Sequence, residues 1–114
     1  MMDAERVAAL AIQNATGVPC RLEVPAERPD ELVTVTLSAT SADRFQRTAR
    51  LTVQSWAKTR RRAHEIAEAV EAACMSIEDD PNVLSCLPDG TYRWDDPETG
   101  SPRYQTNINM RICE

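Results

Sequence analysis

The strongest structural signal in the sequence is a stripe of apolar residues at helical spacing in its second half. Residues that recur every three or four positions lie on one face of an α-helix, and Glu65 and Glu68 fall on the opposite face. Thr59 is a suitable N-cap, and Asp80-Pro81 is expected to end the helix. A helix with one apolar face needs a surface to cover, which favours a sheet in the same chain. The stripe consists of Ala63, Ile66, Ala67, Val70, Ala73, Cys74 and Ile77.

Two segments before this helix alternate apolar and polar residues, as half-buried β-strands do. The first runs from Val33 to Leu37 and the second from Arg50 to Ala57, with the polar segment Ser38 to Thr48 between them. The pattern predicts an antiparallel hairpin in which Ser38 to Thr48 is a long loop. Trp56 is predicted to lie on the side of its strand away from the apolar residues.

Helical spacing, strand alternation and turn residues predict the structure of the other segments. Prolines on both sides of the segment after the first helix place it at a sheet edge, because proline lacks an amide donor. The predicted elements are a helix over Asp3 to Asn14 ended by Thr16-Gly17, an edge segment over Val18 to Val24, a short strand over Val83 to Leu87, a turn at Leu87-Pro88-Asp89-Gly90 that returns through Thr91 to Trp94, a loop over Asp95 to Pro102, and a last strand over Tyr104 to Ile112.

These elements predict a single α+β domain over residues 1–114. Its mostly antiparallel sheet carries one long amphipathic helix and an N-terminal helix, and either the first helix or another subunit is expected to cover the second sheet face. The chain is 42% hydrophobic, which is enough for an ordinary core. Its longest apolar run, six residues from Val7 to Ile12, is too short to cross a bilayer. The acidic start is unlike a secretory leader, so we expect an unexported protein without membrane contact.

Charge is segregated along the chain. Seven of the 13 Lys and Arg residues fall between Arg44 and Arg62, whereas Glu65 to Glu98 holds ten acids and one arginine. The net charge of −5 argues against general affinity for nucleic acid, because phosphate binding needs an excess of basic residues on one surface. We therefore expect no specific nucleic-acid binding.

The residues that could carry chemistry occur in patterns that favour no catalytic, cofactor or metal site. The four cysteines include no pair at two-residue spacing, so zinc is not expected, and we interpret them as unpaired thiols. His64, the single histidine, is expected to pair with Glu68 one helical turn away on the surface. The three glycines are too dispersed for a phosphate-binding loop. The sequence therefore predicts a protein that is not an enzyme.

Both ends of the long predicted helix carry charge of the sign that the helix dipole disfavours. Arg60, Arg61 and Arg62 occupy its first turn, and Glu78, Asp79 and Asp80 are predicted to occupy its last. Contact between the basic end of one subunit and the acidic end of the next would offset this cost. The pattern therefore suggests head-to-tail association, which gives a ring if the rotation closes. Solvated helix ends are the alternative.

The order of segments resembles the tail terminator proteins of long-tailed phages and prophages. The resemblance covers nearly the whole chain but includes no catalytic fingerprint. In place of the Gly-Gly pair that many relatives have after the first hairpin strand, this chain has Ser38-Ala39-Thr40-Ser41-Ala42. The resemblance rests on the helical start, Val18-Pro19-Cys20-Arg21-Leu22-Glu23-Val24-Pro25, Arg28-Pro29 before a strand, Leu51-Thr52-Val53-Gln54-Ser55-Trp56-Ala57 leading into a helix, and Asp96-Pro97-Glu98-Thr99-Gly100-Ser101-Pro102-Arg103-Tyr104-Gln105 before the last strand.

This resemblance implies a structural protein of the virion tail, assembled in the host cytoplasm. It implies a homo-oligomeric ring, expected to be a hexamer, that caps the completed tail tube, stops its polymerisation and joins the tail to the head connector. Its partners would be copies of itself, the tail tube protein and the connector protein. DNA would pass through the ring, and the acidic stretch after Glu65 is a candidate lining. No cofactor is implied.

Candidate interface residues follow from charge, exposure in the predicted elements and position near loops. The alternatives are another head-tail connector or minor tail component of the same particle, a cytosolic regulatory module, and a small hydrolase or nuclease using His64. The candidates are Arg44 and Arg47 in the predicted hairpin loop, Arg60, Arg61 and Arg62 at the helix start, Glu78, Asp79 and Asp80 at its end, and Trp94, Arg103 and Tyr104 around the last loop.

Overall fold

The computed structural model describes residues 3–42 and 46–113. Two helices and five strands make an α+β fold, as predicted. In the described residues, no helix is long and apolar enough to span a bilayer. The elements are α1 (Ala4–Thr16), β1 (Cys20–Arg21), β2 (Leu32–Ala42), β3 (Gln46–Trp56), α2 (Arg60–Ile77), β4 (Val83–Arg93) and β5 (Arg103–Cys113).

The five strands form one sheet in the order β1-β2-β3-β5-β4. All neighbouring strands are antiparallel except β1, which runs parallel to β2 through a two-residue pairing. The predicted position of the proline-flanked segment at a sheet edge is confirmed. β4 forms the other edge, so β3 and β5 are the central strands.

Both helices lie on the same side of the sheet. Ala8 and Ile12 of α1 join one apolar core with the α2 stripe and with the inward residues of the strands, such as Val35 and Leu51. The predicted apolar stripe of α2 is buried along its whole length. The first helix therefore does not cover the second face of the sheet. The carboxylate of Glu5 in α1 also accepts a 2.7 Å hydrogen bond from the amide of Leu37 at the edge of β2.

Local hydrogen bonds explain where the helices begin and end. Asp3 Oδ1 accepts from the amide of Arg6, and Thr59 Oγ1 accepts from the amide of Arg62, both at 3.2 Å, so each helix has a side-chain N-cap. Gly17, with φ of 74°, ends α1 in the left-handed conformation, and its amide donates to the carbonyl of Gln13. The predicted cap at Thr59 and stop at Gly17 are confirmed.

The predicted loop over Ser38 to Thr48 is wrong. β2 continues to Ala42 and β3 starts at Gln46, so Arg47 lies in a strand and not in a loop. Ser38 forms a β-bulge between Leu37 and Ala39, and its hydroxyl donates to the carbonyl of Arg50. The bulge shifts the alternation of side chains by one residue, which hides the strand from a periodicity argument. Arg44 lies outside the described residues.

The predicted turn at residues 87–90 is also wrong, because β4 is one continuous strand through this segment. Between its pairings at Pro88 and Thr91, β4 has one more residue than β5, and Gly90 adopts a φ of 95° there. Turn residues therefore form a bulge instead of a reversal. Pro88 is tolerated because β4 is an edge strand, where one missing amide donor breaks few ladder bonds.

The acidic residues predicted for the last turn of α2 lie beyond the helix. α2 ends at Ile77, Glu78 is its C-cap, and Asp79 and Asp80 follow it. The carboxylate of Glu78 accepts from the amide of Cys86 at 2.9 Å, and Asp80 Oδ1 accepts from the amide of Asn82. These two acids thus cap backbone amides of the connection and of β4, which gives them a local structural role.

Candidate assembly surfaces

One face of the sheet carries no helix, and we call it the open face. Strand side chains alternate between the two sides, so residues next to the buried apolar ones point away from the helices. This face is formed mainly by polar residues on the four long strands. Its members are Thr34 and Thr36 of β2, Arg50, Thr52 and Gln54 of β3, Leu87 and Tyr92 of β4, and Gln105, Asn107, Asn109 and Arg111 of β5.

A row of hydrogen bonds crosses the open face through all four long strands. Thr34 Oγ1 and Gln54 Oε1 are 3.5 Å apart, and Gln54 Nε2 donates to Gln105 Oε1 at 3.2 Å. The Gln105 amide in turn donates to the hydroxyl of Tyr92. Thr34 and Gln105 are buried under their neighbours, which makes these partners necessary. The row holds the polar side chains in fixed positions before any partner binds.

Trp56 closes one end of the open face between arginine side chains. The guanidinium carbons of Arg28 and Arg103 each lie 4.8 Å from the centre of its ring, a cation–π distance. Arg103 is buried, and its Nε donates to the carbonyl of Trp94 at 2.9 Å, while Arg28 donates to Ser101. Trp56 does lie away from the apolar core side, as predicted. Arg103 acts here as an internal support of the last loop.

Apolar side chains are exposed along the β4 edge of the open face. The rings of Tyr92 and Trp94 stack with their centres 6.1 Å apart. Trp94 is 50% exposed and Leu87 is 60% exposed. A stacked aromatic pair is a common anchor for a protein partner, because its burial removes a large apolar area from water.

Two arginines of the open face, Arg50 and Arg111, are exposed. Arg50 Nε donates to Asn109 Oδ1 at 3.2 Å, and Arg111 donates to Gln46 at 2.6 Å. Each guanidinium therefore keeps donors for a partner, since it has five N–H groups. Asp89 is the acid closest to them in this network, and it accepts from the Asn109 amide. The face thus carries net positive charge in a protein whose net charge is −5.

The basic start of α2 is partly neutralised within the chain. Arg62 forms a two-point ion pair with Glu31, with distances of 2.7 and 3.0 Å, and Lys58 lies 3.2 Å from Asp30. The hydrogen bond from Arg62 lowers the pKa of Glu31. The hydrogen bond from Arg93 lowers the pKa of Asp95, to which the positive charge of Arg60 adds a smaller contribution. Arg60 and Arg61 remain exposed. Their role in contacts between subunits stays a prediction.

The outward side of α2 presents acidic and apolar residues, which we call the outer stripe of α2. It is formed by Glu65, Glu68, Ala72 and Met75, all exposed at helical spacing, and Met75 is 77% exposed. α2 contains no Lys or Arg after Arg62. This stripe is therefore negative at its start and apolar at its end.

A groove of about 460 Å³ lies beside the outer stripe, between α1 and the end of α2. Apolar side chains such as Leu10 and Ile77 form its wall, and Asp79 and Asp80 stand at its rim. The predicted interface acids Asp79 and Asp80 thus lie next to an apolar depression. Glu78, in contrast, is engaged with the backbone of β4.

The residues of the predicted last-loop site do not share one surface. Trp94 is exposed on the open face, Arg103 is buried beside Trp56, and Tyr104 is half-buried on the helix side. The Tyr104 ring lies 5.1 Å from the ring of His64 in α2. Alternation along β5 separates neighbours Arg103 and Tyr104 to opposite sides of the sheet. The three residues adjoin one loop in the sequence, but their strands direct the side chains to different places.

The histidine and most of the cysteines, the side chains that could support catalysis, lie in ion pairs or in the core. His64 Nδ1 lies 3.0 Å from Glu68 on the exposed side of α2, which confirms the predicted pair. Cys20, Cys74 and Cys86 are buried thiols, and Cys113 is exposed. Burial raises the pKa of Cys20 to about 12, and the hydrogen bond with Cys74 and burial raise the pKa of Cys86. Within residues 3–42 and 46–113, no group of three potential metal ligands lies together.

Comparison with known proteins gives a likeness among solved structures and none among families or curated proteins. No protein-family model and no curated protein matches the sequence. Among solved structures, a chain from one described as "Virion of native gene transfer agent (GTA) particle" has a TM-score of 0.50 and 11% sequence identity to this chain. The match covers 90% of this chain and 84% of the other. At this identity the likeness shows a shared fold, which is found in this chain and in a component of a virion particle.

Proposed function

We propose that this chain is a structural protein of a phage-type particle. The observation that carries the proposal is the match over 90% of the chain to a component of a gene transfer agent virion. The resemblance of the sequence to tail terminators narrows the role. In this role the protein forms a hexameric ring on the end of the completed tail tube, stops tube growth and joins the tail to the head connector.

Two different surfaces on opposite sides of the sheet support assembly into a ring. A subunit that presents unlike surfaces to its two neighbours makes a heterologous contact, and such contacts close into a ring when the rotation allows it. The open face and the helix layer of this chain are unlike surfaces of this kind. The net charge of −5 suits a ring through which DNA passes without being held.

The proposed role requires docking and no catalysis. His64 is paired with Glu68 and its ring lies 5.1 Å from the ring of Tyr104, contacts that tie the surface of α2 to β5. Burial raises the pKa of Cys20, and the hydrogen bond with Cys74 together with burial raises the pKa of Cys86, so these two thiols are poor nucleophiles at neutral pH. The same bond lowers the pKa of Cys74, which is itself buried. These features favour a binding protein over a hydrolase or nuclease.

Removal of the gene from the genome that encodes it tests this function. We expect particles with tails of uncontrolled length that carry no heads, because nothing would end tube growth or present a surface to the connector. Supplying the intact gene in trans should restore joined particles of uniform tail length. Electron micrographs that show joined particles of normal length without this protein would overturn the proposal.

A connector or minor tail component of the same particle is the second candidate, because the shared fold and the virion match apply to it equally. The same micrographs separate the two roles. Tails of uniform, normal length that lack heads would indicate a connector, since a connector acts after tube length has been set. Purified tubes should bind the protein directly if it is a terminator.

A further inference from the structure

We propose that the open face of one subunit binds the outer stripe of α2 of a second copy of this chain. This inference rests on the proposed assembly function and names the two surfaces that meet. It differs from the sequence-based hypothesis, in which Arg60 and Arg61 meet the acids beyond α2. The structure favours the open face because intramolecular pairs already take up part of the charge at the start of α2.

The open face and the outer stripe of α2 have opposite charge. The exposed arginines of the open face are Arg50 and Arg111, and Asp89 is the acid in contact with their network. The outer stripe presents Glu65 and Glu68, of which Glu68 also pairs with His64, and α2 has no Lys or Arg beyond Arg62. Complementary charge of this kind sets the orientation and partner choice of a protein interface.

The spacing of the charges also matches. Arg111 is two residues beyond Asn109, the partner of Arg50 in the ladder, so the two arginines are diagonal neighbours about 7–8 Å apart. Glu65 and Glu68 are three residues apart on a helix, where side-chain origins are about 5–6 Å apart. Each arginine can therefore meet one glutamate without rearrangement of either backbone.

Both surfaces also expose apolar side chains next to their charges. The open face has Leu87 and the stacked Tyr92–Trp94 pair along β4. The outer stripe ends in Met75, and Leu10 of α1 is 60% exposed on the same helix layer. Isolated exposed apolar residues are common on monomers, but clusters that flank complementary charge on two surfaces are typical of interface cores.

The open face is large enough for a specific interface. Strands of 11 residues extend about 36 Å, and four of them spaced by about 4.8 Å offer roughly 600 Å² of sheet surface. A standard interface buries roughly 800 Å² on each partner, which side chains projecting from this surface can supply. Because the two surfaces lie on opposite sides of one sheet, the same contact can be repeated by every subunit.

A charge exchange between two variants of the full chain tests the contact. The first variant carries Arg50→Glu and Arg111→Glu on the open face, and the second carries Glu65→Arg and Glu68→Arg on the outer stripe. Alone, each variant would present like charges at every contact. Mixed in equal amounts, the two variants regain opposite charges at every contact by alternating around a ring, which a hexamer permits.

The measurement is sedimentation at low salt, with each protein studied up to about 1 mM. We expect the average mass of the wild-type chain to rise with concentration. Each variant alone should associate at least about tenfold more weakly, and the mixture should recover association to within about threefold of wild type. A variant with Arg21→Glu and Lys58→Glu, which has the same change in net charge as the open-face variant but lies outside both surfaces, should associate like wild type. Circular dichroism checks that every variant is folded.

Several outcomes would overturn the inference. One is a wild-type chain that stays monomeric up to about 1 mM at low salt. Another is a mixture that associates no better than its two components alone. A third is a variant with Arg60→Glu and Arg61→Glu that loses more association than the open-face or the outer-stripe variant. Fluorescence anisotropy with a labelled DNA duplex could give a further outcome of this kind. Tight binding abolished by the open-face variant would assign this face to DNA.

Failure here is distinguishable from failure of the proposed function. If the charge exchange fails but particles made without the protein have uncontrolled tails, the function stands with a different interface. If the charge exchange succeeds but those particles are normal, the interface stands and the assigned role is wrong.

Discussion

The two sides of this sheet differ in what holds their side chains in place. On the helix side, Leu51, Val53 and Ile108 are fully buried against α1 and α2, and their positions depend on close packing. On the open side, Gln54 and Gln105 are held by hydrogen bonds between strands. One face is therefore closed by its own chain, whereas the other is ordered but remains partly accessible.

This difference assigns separate tasks to neighbouring residues. Successive positions on β3 and β5 alternate between a core that supplies the free energy of folding and a surface suited to contact with another subunit. Changes on one side are therefore expected to affect stability, and changes on the other to affect assembly. The predictions below test how complete that separation is.

The largest expected effect is a difference in lost stability between substitutions at two adjacent residues of β3. Leu51→Ala should lower the free energy of unfolding by about 2–5 kcal/mol, because it removes a fully buried side chain and leaves a cavity. Thr52→Ala, on the open face, should change it by less than about 0.5 kcal/mol. Urea unfolding curves give both values. Equal losses at the two positions would show that the open face is part of the stabilising core.

The cysteines offer a second comparison between enclosed and accessible sites. Cys113 is exposed, whereas Cys20, Cys74 and Cys86 are buried. In the native protein we expect a thiol reagent to modify Cys113 at least about a hundredfold faster than the other three, which must wait for the fold to open. Because burial raises the pKa of Cys20 to about 12, a change from neutral to mildly alkaline pH should form little thiolate there.

Mass spectrometry of the modified peptides measures this difference directly. The variant Cys113→Ser is the matched control and should lose the fast reaction. Fast modification of Cys74 or Cys86 in the native chain would mean that the α2–β4 contact opens readily. In urea all the remaining thiols should react together.

Regular periodicity explains which parts of this fold were predictable. The apolar stripe of α2 and the alternation around Val35 and Val53 identify elements whose buried positions repeat without interruption. The ends of the two hairpin strands next to their connection were not predicted. Ser38 forms a bulge there, and this extra residue reverses the alternation of side chains. Pro88 and Gly90 suggested a turn, since the sequence does not reveal that β4 lies at an edge where such residues are tolerated.

The candidate surfaces were less predictable than the fold for a related reason. Arg50 and Arg111 are 61 positions apart in sequence, and the pairing of β3 with β5 brings them together. Arg62 looked available in the sequence, but it binds Glu31 within the same chain. Alternation along the last strand puts Arg111 on the side away from Ile108, Met110 and Ile112, and this signal could have identified the open face.

A smaller effect is expected for the hydrogen-bonded row of the open face. Gln105→Leu should lower the free energy of unfolding by about 1 kcal/mol, because Gln54 and Tyr92 lose a partner but remain accessible to water. Gln54→Leu combined with Gln105→Leu should cost less than the sum of the single changes, since the two residues share one bond. Asn107→Leu on the same strand is the control and should have a smaller effect. Additive losses for Gln54 and Gln105 would argue against the row.

The smallest expected effect concerns the Arg62–Glu31 ion pair, which joins α2 to the segment before β2. Arg62 lowers the pKa of Glu31 below its ordinary value of 4.5 in the folded chain. A carboxyl group whose pKa is lowered by folding adds stability above the unfolded-state pKa, and this contribution is lost as the pH falls through 4.5 towards the folded-state pKa. The side chains are 39% and 44% exposed, so the contribution should stay below about 1 kcal/mol.

Glu31→Gln should therefore lower the free energy of unfolding at pH 7 and have a smaller effect at pH 3. Thermal unfolding at several pH values measures this difference. In an Arg62→Gln background the same change should have almost no pH-dependent effect, because the partner that lowers the pKa is absent. A pH-dependent loss of equal size in both backgrounds would assign the lowered pKa to another charge. In that case Arg62 would be available to a neighbouring subunit. The start of α2 would then be a candidate contact surface in addition to the open face.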